Sequence, residues 1–383
     1  MKVGIMTVTH SLNYGAVLQA YALWKFVSDL GIDAELINLY LPSHKDYVKS
    51  NKYVPYRQTV SLSAAVKNGL RPIIHAIFGP AGYSKIAAKR FKDFTIGNIK
   101  FGRIYYGPDE IFADPPAYDL YIAGSDQIWN PSQPYSLAPY FLSFVLNGGK
   151  KISYAASIGI LNLTEKEKED FKRWLQTFDT ISVRESSALA LLKGLVPGKQ
   201  IFRMPDPTFL IDRDEWSKVL KEPNIKQPYV LLYTLGWQKD LIRYCKNISL
   251  KLNMPLVVLS LLQKKHGRYI IERTAGPQEF LGYIKNADLV ITDSFHGTVF
   301  SLILGVKNFY SYVAKSNQRG SRLFELLEQF DLQSHLLSSD LDQDIDSLIE
   351  NTLDRSSIKE KLLEQKNIGR TFLQSQILDS DIA

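Results

Sequence analysis

Short apolar runs recur along the chain, each closed by polar residues or glycine and followed by apolar positions at helical spacing. The first, Lys2 to Val8, passes through a polar turn, His10 to Gly15, into a segment where Val17, Leu18, Tyr21, Trp24, Val27 and Leu30 share helical spacing before Gly31 stops it. A second run, Ala34 to Leu39, completes a βαβ unit and implies a parallel sheet. Tyr118 to Ala123, Lys151 to Ala155, Thr180 to Val183 and Ile201 to Met204 read as further strands of that sheet. Thr164 followed by Glu167 carries the signature of a capping box opening a helix. Pro205-Asp206-Pro207 interrupts the pattern, and a new βαβ rhythm begins at Tyr229 to Leu235. It continues through a helix at Lys239 to Leu252, a strand at Leu256 to Leu259, a helix at Gln278 to Asn286, a strand ending at Thr292, and Phe309 to Tyr312.

A chain of 383 residues is long for one core. The rhythm predicts two Rossmann-like α/β domains facing across a cleft, a GT-B-like architecture. The expected divisions are an N-terminal α/β domain at 1–211, a C-terminal α/β domain at 212–352, and a helical tail at 353–383 that packs back on the body. Asp340-Leu341-Asp342-Gln343-Asp344 mimics an acidic metal motif, but its position before a helical pattern reads as a solvated turn.

Composition narrows the class. With 45% hydrophobic and 22% charged residues the chain reads as globular, and no apolar run approaches the roughly 20 residues of a spanning helix. The first residues enter a strand without a small-residue cleavage site, so neither a signal peptide nor export is expected, and cytoplasmic residence follows. One cysteine, Cys245, rules out an intrachain disulfide and a thiolate metal cluster. The net charge of +7 is uneven: Lys45 to Arg103 holds twelve Lys or Arg against Asp46 and Asp93, leaving +10 there and −3 elsewhere. With no nucleic-acid module signature, nucleic acid is not expected as a partner. Phosphorylated substrates or an anionic membrane surface attract the same charge. Within this segment Leu70 to Phe78 could form an apolar helical face resting on a membrane.

The chemistry concentrates at strand-to-helix turns. Leu289 to Thr292 runs into Asp293-Ser294-Phe295-His296-Gly297-Thr298, so Ser294 and Gly297 belong to a turn whose unpaired N–H groups favour an anion, and His296 can carry a proton near neutral pH. In the first domain Asn13 and Tyr14 follow strand one, Gly124 to Asn130 follows another strand, and Ser182 to Ser186 a third. Asp126 could take a proton from a hydroxyl, Trp129 and Tyr14 could stack on a sugar ring, and Arg184 offers a planar fork for carboxylate or phosphate. Each also has a plain reading: Asp126 as a helix cap, Trp129 as core, Arg184 paired with Glu185 or a neighbouring carboxylate.

Taken together the motifs are specific. Asn-Tyr-Gly-Ala-Val-Leu-Gln-Ala-Tyr-Ala-Leu from Asn13, Ala-Gly-Ser-Asp-Gln-Ile-Trp-Asn to Asn130, Ser-Tyr-Ala-Ala-Ser-Ile-Gly from Ser153, then Ser-Val-Arg-Glu-Ser, Asp-Pro-Thr-Phe-Leu and Thr-Asp-Ser-Phe-His-Gly occur in that order. This resembles the polysaccharide pyruvyl transferase family over roughly residues 1–330, departing mainly between Lys45 and Arg103. The resemblance implies a GT-B-like fold, transfer of the pyruvyl unit of phosphoenolpyruvate (PEP) to a sugar of a bacterial surface glycan, an arginine and a histidine near PEP at the positions of Arg184 and His296, and no cofactor or metal. PEP would need cationic forks for its phosphate and carboxylate, for which Arg319 and Arg322 are further candidates, and an acid for its methylene, for which His296 is the candidate. Asp126 is the candidate base for a glycan acceptor that could be lipid-linked. The competing readings are a GT-B nucleotide-sugar glycosyltransferase and a non-catalytic glycan-binding protein.

Overall fold

The strands form where β-branched and aromatic residues run together, and the side chains of the central strands are mostly buried. The computed structural model describes residues 1–57, 85–236, 238–261, 269–314 and 321–378. The chain divides into two compact units: one of residues 1–80, 95–211 and 365–383, the other of 81–94 and 212–364. The change of unit near 211 falls just after Pro205-Asp206-Pro207. The tail helix Arg355–Leu378 has its first turns in the second unit and its remainder in the first.

In the first unit β1 (Lys2–Met6), β2 (Asp33–Leu39), β3 (Phe101–Tyr105), β4 (Leu120–Ala123) and β5 (Lys150–Ser153) form a parallel sheet in the order β3-β2-β1-β4-β5. β6 (Ile181–Val183) pairs in parallel with β7 (Ile201–Arg203), and isolated bridges Ile152↔Thr180 and Ala156↔Val183 join them to the β5 side. All the carboxyl ends therefore lie on one edge. Helix Tyr14–Asp29 starts where the Asn13 side chain accepts from the Ala16 N–H. Thr164 and Glu167 close both hydrogen bonds of the capping box at helix Glu165–Leu175. In the same unit Arg370 donates to the Leu210 carbonyl and Phe372 packs on Tyr154, which anchors the end of the tail.

The second unit repeats the logic with β8 (Val230–Tyr233), β9 (Leu256–Leu259), β10 (Ile270–Glu272), β11 (Leu289–Thr292), β12 (Asn308–Tyr312) and β13 (Leu336–Leu337), parallel throughout in the order β10-β9-β8-β11-β12-β13. The register sets Thr292 beside Tyr233, so the turns that leave β8 and β11 are neighbours. That is where strand order reverses and where open α/β sheets bind ligands.

Among the described residues no helix is long and apolar enough to cross a membrane, and no group of three or more His, Cys, Asp or Glu is placed to hold a metal. Asp344 of the acidic stretch caps helix Ile345–Glu350. Leu70 to Phe78 lies outside the described residues. Of the described cations in Lys45 to Arg103, Arg57 pairs with Glu167, Arg90 with Glu279, Lys100 with Asp33 and Arg103 with Asp114, so the +10 read from that segment alone overstates the field it presents.

Candidate functional site

In the second unit the site grows from β11. Helix Phe295–Leu304 begins with Ser294 as N-cap, its hydroxyl accepting from the Gly297 N–H at 3.3 Å. Gly297 is required by close packing: a Cβ there would lie 2.4 Å from Thr292 Oγ1 and 3.0 Å from the Tyr233 ring. His296 occupies the first turn, 7% exposed, where aligned backbone dipoles favour negative charge. The Tyr233 hydroxyl hydrogen-bonds the Ser294 side chain, and burial raises its pKa. Asp293 is not placed as a partner of His296. Its carboxylate accepts from the Leu235 N–H (2.8 Å), the Thr234 hydroxyl (3.0 Å) and the Gln238 amide (2.6 Å), tying the β8 turn to the β11 turn. Burial still raises the Asp293 pKa against these three donors. Arg322 stands in the first turn of helix Ser321–Gln329, which packs on the His296 helix; Arg319 lies outside the described residues.

The first unit offers a different edge. Arg184, at the end of β6, is buried; its Nη1 donates to Asp206 Oδ2 at 2.5 Å and its Nε to Glu185 Oε1 at 3.2 Å. Burial works against its charge, but Glu185, Asp206 and Asp126 outweigh that and hold its pKa above the usual arginine value. Glu185 Oε1 also accepts from the Ser157 hydroxyl at 2.5 Å, and Asp206 Oδ1 from the Thr208 N–H and hydroxyl. Two of the nitrogens of the fork expected to clamp a substrate anion, Nη1 and Nε, are thus engaged by the protein's own Asp206 and Glu185.

Asp126 sits at the end of β4 with φ of 67°, a strained conformation for a residue with a side chain, and its Oδ1 accepts from the Gln127 N–H at 2.8 Å. Trp129 and Tyr14 do not offer stacking faces. Trp129 is 0% exposed, stacked on Phe141 at 4.6 Å with its indole N–H on the Tyr140 carbonyl, and Tyr14 is 2% exposed. Both are buried: Trp129 under Phe141, and Tyr14 at the first position of helix Tyr14–Asp29. Rings do stand at the ends of β2 and β3: Tyr40 and His44 pack at 3.7 Å, and Tyr106 is exposed.

A family model described as polysaccharide pyruvyl transferase matches residues 13–312. The chain belongs to the polysaccharide pyruvyl transferase family. The match spans both strand-end edges, from Asn13 past His296. A comparison with curated proteins gives no match. Among solved structures the chain is similar to a candidate UDP-N-acetylglucosamine 2-epimerase from Listeria monocytogenes (12% identity, TM-score 0.55, 100% of this chain and 97% of the other). It is also similar to the UDP-GlcNAc 2-epimerase of Methanocaldococcus jannaschii (12%, 0.54, 98% and 99%) and to S. aureus MnaA in a UDP co-structure (10%, 0.52, 100% and 98%). At these identities the likeness establishes the fold, two Rossmann-like α/β units of the GT-B kind.

In this pyruvyl transferase family member sequence reasoning gave no functional part to Glu185, Asp206, Thr234 and Gln238. Glu185 was visible as a neighbour of Arg184, and Asp206 within Asp-Pro-Thr-Phe-Leu, where two prolines read as a break. Thr234 and Gln238 carry no local signal; the parallel register of β8 with β11 brings them to Asp293.

Proposed function

We propose that this protein transfers the pyruvyl unit of PEP to two hydroxyls of a sugar in a bacterial surface glycan, or in its lipid-linked precursor, closing a cyclic ketal. The observation that carries this reading is His296, held in the first turn of a capped helix at the strand-order reversal of the second sheet in a chain of the polysaccharide pyruvyl transferase family. The turn from Ser294 to Gly297 receives the donor's anionic groups, and Arg322 adds a planar fork. His296 protonates the PEP methylene, which makes C2 electrophilic; acid catalysis of this kind contributes typically about 10²- to 10⁴-fold. A sugar hydroxyl adds to C2 as Asp126 takes its proton. The bond from C2 to the phosphate oxygen then breaks, inorganic phosphate leaves with the electron pair and takes up a proton from water, Asp126 releases its proton to water, and the second hydroxyl adds to C2 and returns its proton to His296. Arg184 holds Glu185 and Asp206 in place. With a lipid-linked acceptor, the protein works at the inner face of a membrane.

Thermal stabilisation by PEP and by UDP-sugars, followed by mass spectrometry of a glycan incubated with PEP, tests this reading. A ligand at 100 times its Kd adds about 2.7 kcal/mol of stability. Stabilisation by PEP, with gain of one ketal per phosphate released, is expected. Stabilisation by a UDP-sugar alone with glycosyl transfer would make the protein a glycosyltransferase, and glycan binding with neither reaction would make it non-catalytic.

A further inference from the structure

The first unit holds a cavity of about 520 Å³ at the edge opposite to its strand-end motifs. One wall is the segment that leads into β5, from Ser143 to Gly149; the other is the end of helix Glu165–Leu175 with the turn into β6, from Arg173 to Asp179. The cavity thus lies where β5 and β6 begin, whereas Asp126 and Arg184 stand where β4 and β6 end. Pyruvyl transfer as derived above uses none of its residues. Gly148 and Gly149 both take the left-handed backbone, with φ of 72° and 76°. A Cβ on Gly149 would come within 2.5 Å of the Tyr121 ring and 2.6 Å of the Tyr118 carbonyl oxygen, so the rim there carries no side chain.

The wall includes a buried cation. Lys151 lines the cavity yet is only 8% exposed. An ammonium has three N–H donors, and among the described residues that of Lys151 makes one hydrogen bond, 3.3 Å to the Val145 carbonyl. Asp179 does not take the other donors: its Oδ2 accepts from the Lys151 main-chain N–H at 2.7 Å. Burial lowers the Lys151 pKa while the Asp179 charge opposes that, the balance of a cation short of partners. Buried charges in native proteins are ordinarily paired, so the spare donors of Lys151 call for an acceptor that enters from the cavity.

The rest of the wall says which acceptor fits. Arg173 stands at the mouth, ion-paired with Asp170 and with its guanidinium 5.7 Å from the Trp174 ring. Asp170 and Asp179 already match the charges of Arg173 and Lys151, so a ligand with two or more negative charges is repelled while a single one is held. Val145, half-buried Trp174 and the exposed Leu146 give the cavity an apolar side. We propose that this cavity binds a small organic monocarboxylate with a planar apolar body, its carboxylate accepting from the Lys151 ammonium and its ring lying against Trp174. This site stands independently of the transfer reading.

The test is a fluorine NMR titration of the full chain with para-fluorobenzoate and with the neutral para-fluorobenzamide, in wild type, Lys151→Met and Arg173→Gln, with folding checked by thermal melting. Wild type should bind the acid saturably below about 10 mM and the amide at least about 10-fold more weakly, as loss of a charge-assisted hydrogen bond requires. Lys151→Met should weaken the acid at least about 10-fold, and Arg173→Gln, which leaves Asp170 unpaired at the mouth, at least about 3-fold. Inorganic phosphate should not displace the acid. The acid-to-amide comparison and the exposed Arg173 variant decide the matter even if Lys151→Met fails to fold. An absence of saturation, an amide that binds within about 10-fold of the acid, displacement by phosphate, or a smaller loss in a folded variant overturns the proposal.

Discussion

At the carboxyl edge of the first sheet, Arg184 is buried and bonded to Asp206 and Glu185; at that of the second, Asp293 is occupied by three hydrogen-bond donors while His296 sits at a helix N-terminus. Both edges come from the same parallel βαβ grammar. The first gathers carboxylates around an arginine, the second gathers donors around a carboxylate beside a helix N-terminus that carries His296. The difference teaches that an arginine at a strand end is not by itself an anion site: what matters is how many carboxylates already share it.

The largest effect that could break this comparison is structural. Asp206→Ala removes the partner of a buried guanidinium, and urea denaturation should show a loss of about 3–5 kcal/mol. A loss below about 1 kcal/mol would mean that Arg184 is solvated and not part of a closed cluster. Next comes chemistry at the other edge: His296→Ala should lower turnover at least about 100-fold with little change in melting temperature. Near-wild-type pyruvyl transfer by a folded variant would remove His296 from its role. Ser294→Ala deletes the N-cap and should cost about 1 kcal/mol, since the Gly297 N–H loses its side-chain acceptor. A neutral result would show the cap to be replaceable.

The smallest effect is a pH dependence. Burial raises the Asp293 pKa, so its native state holds the proton more tightly than its unfolded state does. Its contribution to stability is therefore fully present below the unfolded pKa and is lost as pH rises through the folded one. Asp293→Asn should flatten the stability profile just above the usual carboxylate range. An unchanged profile would mean that the three donors fully compensate for burial.

Much of this frame was legible along the chain because it is local. The capping box at Thr164 and Glu167 and the run from Leu289 into His296 each announce themselves within a few residues. β3 and the helix Pro108–Ala113 were not read: β3 (Phe101–Tyr105) is short and sits against the basic segment, where alternating Arg103 and Tyr105 hide its apolar face. The site followed the same division. His296 and Ser294 are set by local turn chemistry, whereas the partners of Arg184 come from residue 206 and those of Asp293 from residues 234–238, joined only by sheet register. Trp129 lies in a polar turn along the chain, yet its ring is wholly buried and stacked on Phe141, a partner twelve residues on that the motif does not show.

The most direct test of the contrast between the two edges is PEP affinity by calorimetry in wild type, Arg184→Lys and Arg322→Ala. If the donor binds at the second edge, Arg184→Lys should keep the PEP Kd within about threefold of wild type, and Arg322→Ala should weaken it at least about 10-fold through loss of a charge-assisted fork. The opposite ranking, with PEP binding lost in Arg184→Lys and retained in Arg322→Ala, would contradict the account and return the donor to the first edge.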